Sequence, residues 1–323
     1  MSDPGSPYPR STGGPSPRVM EGWVSLRDVL ADAQRRLATA GVASPETEAA
    51  LLAAHVLGVP RSRLILQDRV PPETRTAYER LLGRRTARVP LQHLLGTAPF
   101  RHIEVSVGPG VFIPRPETEM LAVPALEALR ALPADERLAV DLCTGSGALA
   151  IALALEAGET HMVGVEISAT AAEWAQSNVE RHGPALELCG SEVRIVATDA
   201  ATCAEPGHPL HELAGRVSVV TSNPPYIPDG AVPRDPEVRE HDPPIALYGG
   251  PDGLGVIRRL LPAAAALLRP GGLLVMEHAD AQGEGAGEDG LPGLLRSWPD
   301  WQDVRDHLDH NRLPRYTTAI RVP

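Results

Sequence analysis

A doubly wound, mainly parallel α/β sheet preceded by a small helical bundle is the fold this sequence predicts, and three observations carry the prediction. Short apolar runs at 138–142, 161–165, 192–197 and 217–221 alternate with helix-length segments, the rhythm of consecutive βα units. A glycine-rich turn, Cys143-Thr144-Gly145-Ser146-Gly147, follows the first run and opens a helix. Ahead of these, residues 21–90 place apolar side chains at three- and four-residue steps with no strand alternation.

At 323 residues the chain has room for two domains, and 43% hydrophobic with 22% charged residues suits a soluble globular protein. No apolar run reaches the roughly 18 residues of a membrane span. The nearest, at 260–276, is broken by Arg269-Pro270-Gly271-Gly272. No apolar core follows the N-terminal charges, so no secretory signal is read there. The three cysteines, Cys143, Cys189 and Cys203, are odd in number and lack metal-ligand spacing, so a reducing, cytoplasmic setting and no metal are expected. All 30 basic residues are Arg, a compositional bias that makes Arg density a poor sign of nucleic-acid binding. Charge distribution says more. Residues 21–90 carry +3 and residues 91–323 carry −15, so the larger part is ill suited to a duplex DNA footprint. The mildly basic front part suits an acidic or RNA-bound partner, or is simply a solvated surface.

Residues 1–20, rich in Pro, Gly and Ser, are expected to be disordered. The first helix is marked by Leu26, Val29, Leu30, Ala33 and Leu37 and stops at Gly41. Ser44 and Pro45 give an N-cap and first helical position for a second helix ending at Gly58, and a third begins near Pro72. These helices define a domain over 21–90 with no chemistry of its own, for packing or recognition. Residues 91–115 read as a linking β-hairpin, with Ile103, Val105 and Val107 on one arm, Gly108-Pro109-Gly110 at the turn, and Val111-Phe112-Ile113 on the other. Ile113-Pro114-Arg115-Pro116 is extended, and Glu117-Thr118-Glu119 opens a helix to about Leu132. Arg115 and Glu117 either shape a pocket rim or simply mark the helix start.

The main domain, 116–323, follows the βα rhythm. Helices are expected at 148–155, 169–182, 254–268 and 291–298, and late strands at 273–276, 303–308 and 317–322. Residues 227–255 form a long Pro/Asp/Gly-rich loop, and 282–290 a glycine- and acid-rich, mobile one. Within the turn at 143–147, small side chains let a ligand approach the backbone, and the next helix presents free N–H groups. Glu166, ending the second strand, suits ribose hydroxyls, and Asp199 ends the third. Gly145, Gly147 and Ala150 also satisfy a dinucleotide fingerprint, so a nicotinamide cofactor competes with S-adenosylmethionine (AdoMet) at this point. Asp141 ahead of the turn fits AdoMet sites better, with Cys143 standing where a glycine is common, as a tolerated substitute and not a nucleophile.

The fourth strand, Val217 to Thr221, is stopped by Asn223-Pro224-Pro225-Tyr226, because two prolines cannot continue a ladder. An amide accepts through oxygen and donates through nitrogen, and a tyrosine ring is a flat wall. Such a turn is either a structural loop or a clamp for a planar NH2 group.

The chain resembles the bacterial protein-(glutamine) methyltransferases of peptide chain release factors over nearly everything after residue 21. The resemblance rests on Pro90-Leu91-Gln92-His93-Leu94-Leu95-Gly96, on Phe112-Ile113-Pro114-Arg115-Pro116-Glu117-Thr118-Glu119, on the turn at 143–147 and on Asn223-Pro224-Pro225-Tyr226. Arg269-Pro270-Gly271-Gly272 and Glu277-His278 add to it. It implies a Rossmann-like AdoMet-dependent methyltransferase domain that methylates the glutamine amide of a release factor's Gly-Gly-Gln motif. It also implies that Cys143 to Gly147, with Thr144, Gly145 and Ser146, hold AdoMet, and that Glu166 holds its ribose. Asn223 and the Pro224 carbonyl would grip the target NH2, Tyr226 would shape the slot beside Pro225, and Asn223 would also border the cofactor. One departure stands out. Family members often place an aromatic after the third-strand acid, whereas Asp199 is followed by Ala200. Three rivals stay open: glutamine methylation of a large-subunit ribosomal protein, exocyclic-amine methylation of DNA, and a non-catalytic AdoMet-binding or docking module.

Overall fold

The computed structural model describes residues 22–323, so the expectation for the N-terminal tail lies outside the described residues. The chain divides into two compact units, one ending at Leu95 and the other running from Gly96 to Pro323.

The first unit begins with β1 (Val24–Ser25), continues with α1 (Leu26–Thr39) and α2 (Pro45–Leu57), and then β2 (Arg69–Val70), α3 (Pro72–Thr86) and α4 (Leu91–Leu95). Its core gathers Leu26, Ala33, Leu37, Leu52, Tyr78, Leu82 and Leu94. Ser25 caps α1, its Oγ accepting from the Asp28 N–H at 3.3 Å. Ser44 makes no such side-chain bond ahead of α2, where Pro45 alone sets the start; Gly58 closes that helix in the left-handed conformation, as expected. The antiparallel β1–β2 pair was not foreseen, because two-residue strands are too short to show alternation.

The second unit opens with β3 (Thr97–Phe100) and β4 (Ile103–Ser106), paired antiparallel. The hairpin therefore lies one arm earlier than the sequence suggests. Its turn is at Arg101-His102, and Val111 to Ile113 form no strand. Pro109 and the two flanking glycines had looked like the turn, but Ala98, Phe100 and Val105 bury into the core of this unit and settle the pairing. After a 3-10 turn at Pro116–Leu121 come α5 (Ala122–Arg130), β5 (Leu138–Leu142), α6 (Ala148–Ala157), β6 (His161–Glu166), α7 (Ala169–Leu188), β7 (Glu192–Ala197) and β8 (Val217–Ser222). They are followed by α8 (Pro236–His241), α9 (Gly255–Leu267), β9 (Leu268–Glu277), α10 (Leu291–Arg296), β10 (Trp301–Leu308) and β11 (Pro314–Arg321). Helix α7 outruns its expected end by six residues, carrying Pro184 in its interior to seat Leu186 in the core.

The seven strands run β10-β11-β9-β8-β5-β6-β7. All neighbours from β9 to β7 pair parallel, and only β11 is antiparallel to its flanking strands. The fold is thus the Rossmann-like, mainly parallel α/β sheet expected from the βα rhythm. Every residue of β8 is buried, as a central strand covered on both faces must be. Ala139, Met162 and Val219 pack toward α5 and α6, whereas Val140, Leu142, Val163 and Val220 pack toward α9. Among the described residues, no helix is long and apolar enough to cross a membrane.

The long loop at 227–255 is shaped, not open. Ile227 bridges to Tyr248 in parallel, the Gly249 N–H donates to the Ile227 carbonyl at 2.8 Å, and α8 sits between. The stretch at 282–290, expected to be mobile, folds into 3-10 turns, with Gln282 buried against the Tyr226 carbonyl at 3.1 Å.

Candidate active site

Two neighbouring parallel strands deliver the site. β5 ends at Leu142 and β8 at Ser222, and these two residues are register partners. Strand order reverses between them, with β6 and β7 on one side and β9 on the other. In open α/β sheets the ligand crevice lies outside the carboxyl ends at such a point. A cavity of about 430 Å³ opens there, the size of a small-molecule site. Asp141, Cys143, Thr144, Gly145, Ser146, Glu166, Asp199, Ala200, Asn223, Pro224, Pro225, Tyr226 and Arg115 all line it. Gly147 is the exception among the expected residues. It sits at φ 78, where an added Cβ would meet Ala175 at 3.4 Å, so it lets α6 start close against α7.

The β5 side offers a bare, polar cradle. Gly145 has φ 57 and nothing within 4 Å of where a Cβ would project, which leaves its backbone open. Glu166 is braced through Oε2 by the Gly145 N–H at 2.9 Å and through Oε1 by the Ser168 N–H at 2.8 Å. Burial raises its pKa and these backbone donors oppose the rise. Asp141 also has a structural part. Its two oxygens accept from the hydroxyls of Thr144 at 2.6 Å and Thr221 at 2.7 Å, so it ties the turn to β8. Burial pushes its pKa up to about 6. Asp199 accepts from the Arg259 guanidinium at 2.6 Å and the Ala201 N–H at 2.9 Å, while Ala200 is buried. The apolar wall missing at Ala200 is offered by Ile167, 52% exposed on the cavity lining just after Glu166. Its mark in the sequence was its place directly after the strand-end acid Glu166.

Cys143 has φ 61, the region that favours glycine, which explains why glycine is common at this position. Desolvation, with Glu166 and Asp141 nearby, pushes its thiol far above the usual range, so it is no nucleophile. A left-handed L-residue costs roughly 1–2 kcal/mol, part of which glycine returns as unfolded-chain entropy. Cys143→Gly is therefore expected to raise stability by up to about 1 kcal/mol in urea denaturation.

The β8 side presents the amide. Asn223 donates through Nδ2 to the Thr118 hydroxyl at 2.9 Å, and its Oδ1 has no donor among the described residues. Tyr226 donates its hydroxyl to Glu277 Oε1 at 2.9 Å. Glu277 is 1% exposed at the end of β9, and burial pushes its pKa up to about 7. Thr118 and Glu277 lie in stretches that carried the resemblance, but the sequence reading gave neither a place in the site. The available signal was an acid closing the apolar run Leu273 to Met276, the same placement as Glu166 on β6.

Arg115 forms the rim. Its guanidinium pairs with the buried Asp242 at 2.5 Å and lies over the Phe112 ring at 4.9 Å, fastening the loop at 227–255 to the segment ahead of α5. Burial raises the Asp242 pKa and Arg115 opposes that. Removing Arg115 takes away the strongest opposition to burial and leaves only the Ile113 backbone N–H and the neighbouring His241, so the folded-state pKa climbs further above the unfolded value. Arg115→Ala is thus expected to cost about 2–3 kcal/mol at pH 8 and less at a lower pH, as Asp242 takes up a proton and no unpaired charge is left buried. Thermal melts at the two pH values measure the difference.

Known proteins fit this geometry. A family model described as the PrmC N-terminal domain matches residues 28–96, and one described as the methyltransferase small domain matches residues 121–233. The release factor glutamine methyltransferase of Streptomyces coelicolor is 45% identical over 294 residues, 91% of this chain and 97% of that protein. The chain belongs to the release factor glutamine methyltransferase family. A second member, from Mycolicibacterium smegmatis, is 44% identical over 92% of this chain and 98% of its own length. The 4-amino-L-phenylalanine/4-methylamino-L-phenylalanine methyltransferase of Streptomyces pristinaespiralis is 37% identical, over 86% of this chain and 89% of that protein. Likeness to solved structures is looser. The 16S rRNA N2 G1207 methyltransferase of Thermus thermophilus, solved with AdoMet and guanosine, is 22% identical over 70% of this chain and 49% of that chain, at a TM-score of 0.44.

Proposed function

We propose that this enzyme transfers a methyl group from AdoMet to the side-chain amide nitrogen of the glutamine in the Gly-Gly-Gln motif of peptide chain release factors. The observation that carries the reading is the orientation of Asn223, whose NH2 is committed to Thr118 and whose carbonyl oxygen is left on the cavity wall. An NH2 substrate needs acceptors, and Oδ1 of Asn223 with the carbonyl of Pro224 supplies two. Bound at the β5 side, AdoMet supplies an electrophilic methyl carbon on a sulfonium. The turn at 143–147 with its open Gly145 would hold it, Glu166 would take the ribose hydroxyls, and Ile167 with the Asp199–Arg259 pair would border the adenine in place of an aromatic.

An amide nitrogen is a weak nucleophile because its lone pair is delocalised into the carbonyl. Acceptors on both N–H bonds polarise it and aim the lone pair at the methyl carbon. The C–N bond would form as the C–S bond breaks, its electron pair leaving on a neutral thioether, and the cationic nitrogen would lose one N–H proton to water at the Asn223 and Pro224 acceptors. Tyr226 and Pro225 wall the slot. Positioning supplies most of the rate, with no strong base needed.

The helical unit, matching its own family model, would serve recognition of the release factor. A cytoplasmic setting fits a partner in translation termination, and the charge of −15 beyond residue 90 disfavours duplex DNA. Labelled AdoMet incubated separately with release factor, a Gly-Gly-Ala release factor variant, ribosomes, duplex DNA and 4-amino-L-phenylalanine tests the substrate. Label in release factor alone, lost in the Gly-Gly-Ala variant, is expected. Label confined to any other arm overturns the reading.

A further inference from the structure

Behind the amide clamp sits a buried acid that touches no part of the cavity. Glu277 is absent from the cavity lining, yet both residues it addresses, Tyr226 and Thr118, are on it. One of its oxygens takes the Tyr226 proton. The other, Oε2, is buried with no hydrogen-bond partner among the described residues. The side chain that bears most strongly on the carboxylate, drawing its pKa down against burial, is the Thr118 hydroxyl. That hydroxyl already accepts from Asn223, so its single proton is free to turn to Oε2.

We infer that Glu277 is a positioning residue which, by accepting the Thr118 proton, compels Thr118 to accept from the Asn223 NH2 and so points Asn223 Oδ1 at the substrate. A threonine hydroxyl has one proton. While that proton is held by a carboxylate, the face toward Asn223 is an acceptor, and only one amide orientation satisfies it. A protonated Glu277 can itself donate to Thr118. The threonine proton is then released toward Asn223 Oδ1, and the oxygen needed by the substrate is taken. Orientation of the clamp thereby depends on the ionisation of a group that never meets the substrate.

The charged groups facing Glu277 are Arg315 from β11, which favours the carboxylate, and Glu117 from the turn at Pro116–Leu121, which opposes it. His278, next along the strand, turns to the other face and meets Asp306 at 3.2 Å. With the Glu277 pKa raised to about 7, the ionised and working state fills in as pH rises through 7. Stability has the opposite sign. A folded-state pKa of about 7 above an unfolded value of 4.5 means that stability falls as pH rises from one to the other and levels off above it, so the neutral isostere should not weaken the fold at pH 8.

The role rests on the proposed methylation of release factor, so its test includes a readout that needs no substrate. Glu277→Gln and Thr118→Val are each expected to lower kcat about 10²-fold with little change in KM, in AdoMet affinity or in melting temperature at pH 8. Both should flatten the rise of wild-type kcat through pH 7, and Thr118→Ser should restore it. In the substrate-free protein, the Asn223 side-chain amide ¹⁵N–¹H signal is expected to titrate near pH 7 in wild type and to stay fixed in Glu277→Gln. A wild type silent toward release factor but titrating at Asn223 would sink the substrate and keep the relay. An Asn223 signal indifferent to pH, or Glu277→Gln retaining full kcat, overturns the relay.

Discussion

Asn223→Ala is expected to lower methylation of release factor at least about 10²- to 10³-fold while AdoMet affinity stays within a few-fold. The substitution removes the acceptor proposed to polarise the target NH2, and it strips Thr118 of its donor. Neither change touches Glu166, Gly145 or Ile167, which lie on the β5 side of the crevice. A radiolabelled methyl-transfer assay paired with calorimetry of AdoMet binding separates the two effects. Parallel loss of both would show that Asn223 holds the cofactor and not the target. Asn223→Asp is a sharper companion. It keeps an acceptor but cannot donate to Thr118 when ionised, so partial activity there would credit the acceptor alone.

Gly253→Ala is the second large effect, and it acts from outside the cavity. Gly253 has φ 77, and an added Cβ would collide with the Tyr226 carbonyl and stand 2.6 Å from Gln282 Nε2. Those two groups are bonded to each other, and they fix the backbone just beyond the prolines. A left-handed alanine plus overpacking against backbone amounts to about 3 kcal/mol or more. Melting temperature and kcat should therefore fall together. Gly230→Ala is the control, since Gly230 has φ 82 but nothing within 4 Å of its Cβ position. It should lose about 1–2 kcal/mol from the dihedral alone and leave the clamp intact. Equal losses in the two variants would mean that the backbone conformation, and not contact with Tyr226, sets the cost.

The parallel strands and the crevice residues were legible in the sequence because each carries a local mark. Buried parallel strands are unbroken apolar runs, and strand ends announce themselves by an acid, a glycine pair or a double proline. Glu166, Asn223 and the turn at 143–147 are all of this kind. The supporting contacts are different. Thr118 meets Asn223 across 105 positions and Tyr226 meets Glu277 across 51, so no local pattern reports them. Asp141 was marked by its place in a motif, and the structure adds what the motif could not show, that its two oxygens hold Thr144 and, 80 positions along the chain, Thr221. The hairpin was misplaced because Gly108-Pro109-Gly110 is the stronger turn signal, while the pairing was decided by which side chains, Ala98, Phe100 and Val105, reach the core.

The parallel bridge between Ile227 and Tyr248 has a bearing on how such an enzyme diversifies. It pinches the chain shut immediately after Tyr226, and the Gly249-to-Ile227 hydrogen bond repeats the closure. The segment between, α8 included, forms a visor over the cavity, held by this neck and by the Arg115–Asp242 pair. Each doubling in length of such a segment costs only about 0.6 kcal/mol in closure entropy. The visor can thus be exchanged or resized while the residues that grip an NH2 group hold still.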